Sequence, residues 1–87
     1  LVKGVSDARS DQYALGIVFF EMLSGWPPFQ ADCPMELGMM HVRRAVPSLR
    51  AMRPEVPLAW ISAIERMLAK DPFDRFSDLR QIDFSAR

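Results

Sequence analysis

An all-α fold is predicted for this chain, on three observations. Apolar residues recur at three- and four-residue steps, and no stretch alternates apolar with polar as a half-buried strand would. The periodic stretches end at segments that carry proline or glycine. No internal repeat or low-complexity run interrupts them, so one central helix and about three shorter ones form a single helical unit over residues 1–87.

The central helix is expected over residues 10–24, with Ser10 as N-cap, Asp11 in the first turn, and Gly25 before Pro27 and Pro28 as the stop. The cluster Ile17, Val18, Phe19 and Phe20 also suits a buried strand, but the length of the stretch and its two end signals decide for helix. Gly16 inside it costs about 1 kcal/mol relative to alanine, which predicts close packing where the side chain is missing. The helix is apolar nearly all round, the pattern of an element enclosed by others. Three short helices are too few to wrap it, so the chain is expected to be part of a larger domain.

Helical composition returns from Pro34 to about Arg44, through Met35, Leu37, Met39, Met40 and Val42. Residues 45–57 hold Pro47, Pro54 and Pro57 and are expected as an extended connector, because each proline disfavours helix for itself and its predecessor. An amphipathic helix is expected over residues 58–70, with Pro57 suiting its first turn. Trp60, Ile61, Ile64, Met67 and Leu68 form its buried face and Glu65 and Arg66 stand between them. Asp71 before Pro72 stops it, and after a turn through Asp74 a last short helix is expected over residues 77–84, capped by Ser77 and containing Leu79 and Ile82.

Composition narrows the function classes. Of 87 residues, 49% are hydrophobic and 25% charged, an ordinary soluble globular balance. Eleven basic residues match eleven acidic ones, so there is no excess field to hold phosphate backbones and nucleic acid is not an expected partner. Arg43, Arg44, Arg50 and Arg53 alternate with apolar residues and prolines and read as a solvated helix end or loop. Cys33 is the sole cysteine, which excludes an internal disulfide and a thiol pair for a metal, and fits a reducing, cytoplasmic setting. His41 is likewise alone, without HExxH spacing, and is assigned no chemistry. The apolar run over residues 13–20 is about half of the roughly 20 residues a bilayer span needs, so this segment is not expected to insert in a membrane. Leu1 opens no basic, apolar and small-residue succession, which predicts an internal start with no export signal. No cluster of acid, base and nucleophile, glycine-rich phosphate cradle or metal set is present. No catalytic, cofactor-binding or metal residue is therefore expected in this chain.

Two stretches carry a resemblance. DQYALGIVFFEMLSGWPPF (residues 11–29) closely resembles the central helix and following loop of eukaryotic-type (Hanks-type) serine/threonine protein kinases, without a gap. LAKDPFDRF (residues 68–76) resembles the late turn of that family, which ends in a characteristic arginine. HVRRAVPSLR (residues 41–50) with RPEVP (residues 53–57) is similar to its bacterial members. Together they cover about residues 9–82 and imply the helical C-terminal part of the large lobe.

What the resemblance implies about single residues is structural. Asp11 resembles the helix carboxylate that accepts backbone N–H bonds from the catalytic loop, a charge-assisted arrangement; a plain helix-dipole acid fits the same position. Arg75 resembles the arginine that pairs with the glutamate of a Pro-Glu segment expected before Leu1, though an arginine in a surface turn has the same local look. Val18 and Met22 match positions that support the apolar column beneath the adenine, which core packing also predicts. Glu21 matches a position that contacts a basic substrate residue in some members, or else is a solvated helix end. Trp26, Pro28 and Phe29 are expected to anchor their loop in the core, with Phe29 also a candidate for peptide contact.

The activity that the resemblance implies for a complete domain is transfer of the ATP γ-phosphoryl group to protein hydroxyls with Mg²⁺. None of the groups that perform it is in this chain. Gly4, Gly16, Gly25 and Gly38 are never in GxGxxG spacing, and no HRD, DFG or Ala/Ser-Pro-Glu occurs. The implied partners are the rest of the kinase domain, with its catalytic loop and activation segment, and a protein substrate. A pseudokinase platform and a free-standing helical interaction module derived from a kinase are the alternatives. As a fragment of a kinase or pseudokinase, this chain alone is expected to be an inactive scaffold that binds no Mg-ATP, is loosely packed, and lacks the partners of Asp11 and Arg75; a free-standing module would instead be monodisperse and melt cooperatively.

Overall fold

The computed structural model describes residues 8–82 and 84. In chain order these form α1 (Ala8–Ser24), α2 (Pro34–Arg43), α3 (Leu49–Met52) and α4 (Leu58–Met67), followed by single 3-10 turns at Pro72–Asp74 and Leu79–Gln81. There is no strand among the described residues, as the sequence pattern predicts.

The long helix α1 is already helical at Ala8, so Ser10 lies inside it and is not its cap. Ala8 and Arg9 are good helix formers, and they extend the helix past the serine. At the other end the Gly25 N–H donates to Glu21 O at 2.8 Å with φ at +87°, a conformation that glycine adopts without a Cβ penalty. Beyond it the Ser24 hydroxyl bonds both the N–H and the C=O of Trp26, which turns the chain out of the helix direction.

Helices α1 and α4 pack directly at Gly16. A Cβ there would lie 2.9 Å from Leu68 Cδ2 and 3.1 Å from Met67 Cβ, so the missing side chain admits the end of α4, as expected. Phe20 of α1, Leu49 of α3, Val56, Ile61 and Ile64 of α4, and Leu68 just after it form the larger buried cluster. Ala63, Met67 and Phe76 form a smaller one. The core therefore covers one side of α1 only. Val18 and Met22, one turn apart on it, remain 50% and 73% exposed.

Three sequence expectations are corrected here. Residues 45–57 are not wholly extended, because Ser48 accepts the Ala51 N–H at 3.1 Å and starts the turn α3, which buries Leu49 between Pro47 and Pro54. Helix α4 starts after Pro57, which is its N-cap, and ends at Met67 instead of residue 70. The carbonyls of Ala69 and Lys70 are turned onto the Arg75 side chain, which competes with continued helix. The last helix, expected over 77–84, is a single turn capped by Asp78, whose Oδ1 accepts the Arg80 N–H at 2.8 Å; Ser77 instead bonds Gln81 Oε1. Residue 83 of that range, like residues 1–7 and 85–87 of the unit, lies outside the described residues.

Candidate functional site

Side chains from all the elements flanking the N-terminal half of α1 meet around Gln12, Tyr13 and Arg75. Gln12 is fully buried, and its amide clamps one backbone unit: Nε2 donates to Phe76 O at 2.7 Å while Oε1 accepts the Phe76 N–H at 2.9 Å. Both polar groups of Phe76 thereby find partners where water is excluded. The Phe76 ring is packed in the smaller cluster, with the Arg66 guanidinium 4.2 Å from its centroid.

Arg75 is 9% exposed and spans the gap between α1 and the end of α4. Its Nε donates to Ala69 O at 2.8 Å and Nη1 to Arg9 O at 3.0 Å, with Nη2 at 3.4 Å from Lys70 O. The guanidinium also lies 4.7 Å from the Tyr13 ring centroid. The expectation that Arg75 lacks a partner within this chain is thus overturned. The planar fork reaches carbonyls on two elements at once, which a turn arginine seen in sequence does not reveal.

Tyr13 faces His41 as well, with its hydroxyl 2.7 Å from Nδ1 and the two rings edge to face. Phe29 is edge to face with His41 at 4.9 Å between centroids, and Lys70 Nζ lies 4.7 Å from the Phe29 centroid while donating to His41 O at 2.7 Å. Burial pushes the Tyr13 hydroxyl up, against the opposing effect of Arg75. Burial, then the nearby Lys70, holds His41 below its ordinary value; burial, then Arg75, does the same to Lys70. The cluster therefore favours a neutral imidazole and a neutral phenol beside two cations.

Of the residues singled out from sequence, Arg75 and Phe29 are part of this junction. Phe29 is 8% exposed and, with buried Pro28, anchors its loop as expected, leaving the ring little surface for a peptide. Trp26 is not an anchor: it is 62% exposed, because the turn at Ser24 directs it outward. Asp11 lies in the first turn of α1 and is exposed, as is Glu21 near the other end. Val18 and Met22 share the uncovered face. Sequence reading missed Gln12, Tyr13, Lys70 and His41, which pair with residues up to 64 positions away. Only the proximity of Lys70 and Arg75 in the second motif pointed to this region.

An apolar cleft of about 240 Å³ lies on the other side of α1, lined by Phe19, Met22, Leu23, Trp60, Ile64 and Phe84. Among the described residues no three His, Cys, Asp or Glu side chains converge to hold a metal ion. No helix is long and apolar enough to cross a membrane. The junction is chemically a fastening: amide, guanidinium and ammonium groups satisfy backbone carbonyls and hold α1, α2 and the 69–76 turn together.

No protein-family model matches the chain. It is 35% identical over 80 residues, 92% of its length, to the serine/threonine-protein kinase PrkC of Bacillus subtilis. It is 35% identical over 74 residues, 85% of its length, to the probable serine/threonine-protein kinase PknB of Lactococcus lactis. The chain belongs to the serine/threonine protein-kinase family. The kinase PknE of Mycobacterium tuberculosis is 41% identical over 68 residues, 78% of the chain. In each case the matched part is 12% of the relative's length, so the chain corresponds to a fragment of such a kinase. Its all-helical architecture agrees with the helical C-terminal subdomain of the kinase large lobe. Within this kinase fragment, the DQYALG and KDPFDRF stretches are the two strands of sequence that the Gln12–Phe76 clamp joins.

Proposed function

We propose that the polypeptide carrying this fragment is an active, cytoplasmic serine/threonine protein kinase that uses ATP and Mg²⁺, and that residues 8–82 are the post on which its catalytic parts are mounted. The observation that supports this is the likeness to named serine/threonine kinases over most of the chain. In this reading Asp11, at the start of α1, accepts backbone N–H bonds from the catalytic loop. Val18 and Met22, exposed on one face, seat the apolar column beneath the adenine. Glu21, exposed near the C-terminal end of α1, meets a basic residue of the protein substrate. Arg75 holds its end of α1 rigid through its three carbonyl contacts and reaches the activation segment from there.

Phosphoryl transfer is almost entirely positioning and electrostatic stabilisation, so a rigid mount for the loops that hold metal and nucleotide contributes directly to rate. The test is on the natural polypeptide. Its reading frame upstream of Leu1 should contain the HRD, DFG and Pro-Glu elements, and the purified protein should phosphorylate a protein substrate on Ser or Thr with Mg-ATP. Replacing the catalytic-loop aspartate by asparagine should abolish this. A frame without those elements, or a folded protein that carries them and transfers no phosphate, would refute the proposal.

A further inference from the structure

The kinase reading leaves His41 unused, yet its imidazole meets both Tyr13 and Phe29. Helix α2 has no fully buried residue, and only Leu37, Met40 and His41 are half-buried. Three of the contacts that hold it converge on residue 41: the Tyr13 hydroxyl on Nδ1, the Phe29 ring against the imidazole, and the Lys70 ammonium on the backbone carbonyl. We propose that His41 is a proton-operated latch, which when neutral fastens α2 and the loop before it to α1 and when protonated releases them.

The charges around the imidazole decide the direction. From α1 it meets Tyr13, a neutral phenol that donates well to an unprotonated nitrogen. From the turn after α4 it meets Lys70, bound 2.7 Å from its own carbonyl, and behind Tyr13 lies the Arg75 guanidinium. The loop contributes Phe29, whose ring already has Lys70 against it. On α2 itself the charged neighbours are Arg43 and, just beyond the helix, Arg44; the acidic residue Glu36 is in the first turn, away from residue 41. The ion pairs Arg53–Glu55 and Arg80–Asp78 include neither Lys70 nor Arg75. A proton on His41 therefore adds a third cation to this junction and forces the Tyr13 bond to reverse, with the phenol oxygen as acceptor.

The depressed value of His41 agrees with this. Because the folded state binds the proton more weakly than the released state, the fastening is complete above the ordinary histidine value. It is lost as pH falls from there through the folded value. With one proton and an ordinary value near 6.5, the released fraction at pH 5.5 rises by at most about tenfold.

The proposal does not depend on the kinase reading, because its test requires no phosphoryl transfer. Amide hydrogen exchange in the natural polypeptide carrying residues 1–87, corrected for intrinsic rates, should show opening of α2 increasing several-fold between pH 7.5 and 5.5 while α4 is unchanged. His41→Gln, which keeps an acceptor but cannot titrate in this range, should remove that response, and Tyr13→Phe should increase α2 opening already at pH 7.5. An equal response in α2 and α4, or a response that persists in His41→Gln, would overturn the latch. Should that variant fail to fold, an NMR titration of His41 in the unaltered protein decides: a value at or above the ordinary one overturns the proposal, and a lower one supports it.

Discussion

Replacing Gln12 by methionine isolates the clamp that joins the two kinase-like stretches. Methionine matches the length of glutamine but has no amide, so Gln12→Met keeps the packing and leaves the Phe76 N–H and C=O without their bonds of 2.9 and 2.7 Å. Gln12 has no exposed surface, and solvent cannot easily replace the amide. Each buried group left unsatisfied costs about 1–3 kcal/mol, and the gain from burying a thioether in place of an amide offsets part of this. The expected loss is about 2–4 kcal/mol, a large share of the roughly 5–15 kcal/mol of an ordinary domain. Urea unfolding followed by near-UV dichroism should show a lower midpoint with an unchanged slope. Gln12→Glu gives the complementary result. Protonated, its carboxyl reproduces both bonds; ionised, it loses the donor and places a charge against the Phe76 carbonyl. Its folded-state value is thus raised, so its stability should be near that of the parent at pH below about 4.3 and fall as pH rises through the folded value. A loss below about 0.5 kcal/mol for Gln12→Met, or a pH-independent Gln12→Glu, would refute the reasoning.

Three further outcomes are expected. Arg75→Ala should destabilise this chain by about 2–4 kcal/mol, since two well-formed charge-assisted bonds are lost and the desolvation cost of the guanidinium is recovered in part; Arg75→Lys should restore less than half, and chemical denaturation measures both. Gly16→Ala should cost about 1 kcal/mol in thermal or urea unfolding despite the better helix propensity of alanine, because its Cβ meets Leu68 and Met67; a stabilised variant would show that α1 and α4 are not packed so closely. The Asp78 carboxyl, held down to about 2 by the Arg80 side chain and then its N–H, should titrate there by NMR and move up in Arg80→Ala. Its small contribution is present above 3.8 and lost as pH falls through about 2, and it should weaken with added salt because the pair is exposed.

How far the sequence reaches is clearest from particular elements. The ends of α1 and α4 near Gly25 and Pro57, and the closeness at Gly16, follow from residue types acting within a few positions, so they are readable without the fold. Ser48 was readable too, yet the three prolines around it pointed to an extended connector and the cap prevailed locally. Ser77 and Asp78 are both good caps, and choosing between them requires knowing that Gln81 folds back onto Ser77.

What the sequence alone determined is the helical class, the places of α1, α2 and α4 and membership in the kinase family, because periodicity, capping and motif spacing are local properties of the chain. Tertiary structure decided that Arg75 has its partners inside the chain, that Gln12 is buried, and that His41 stands between Tyr13, Phe29 and Lys70. A glutamine on a helix or an arginine in a turn looks the same in sequence whether water or a distant carbonyl satisfies it. Only the packing of α1 on α4, which brings residues 64 positions apart to hydrogen-bond distance, distinguishes the two.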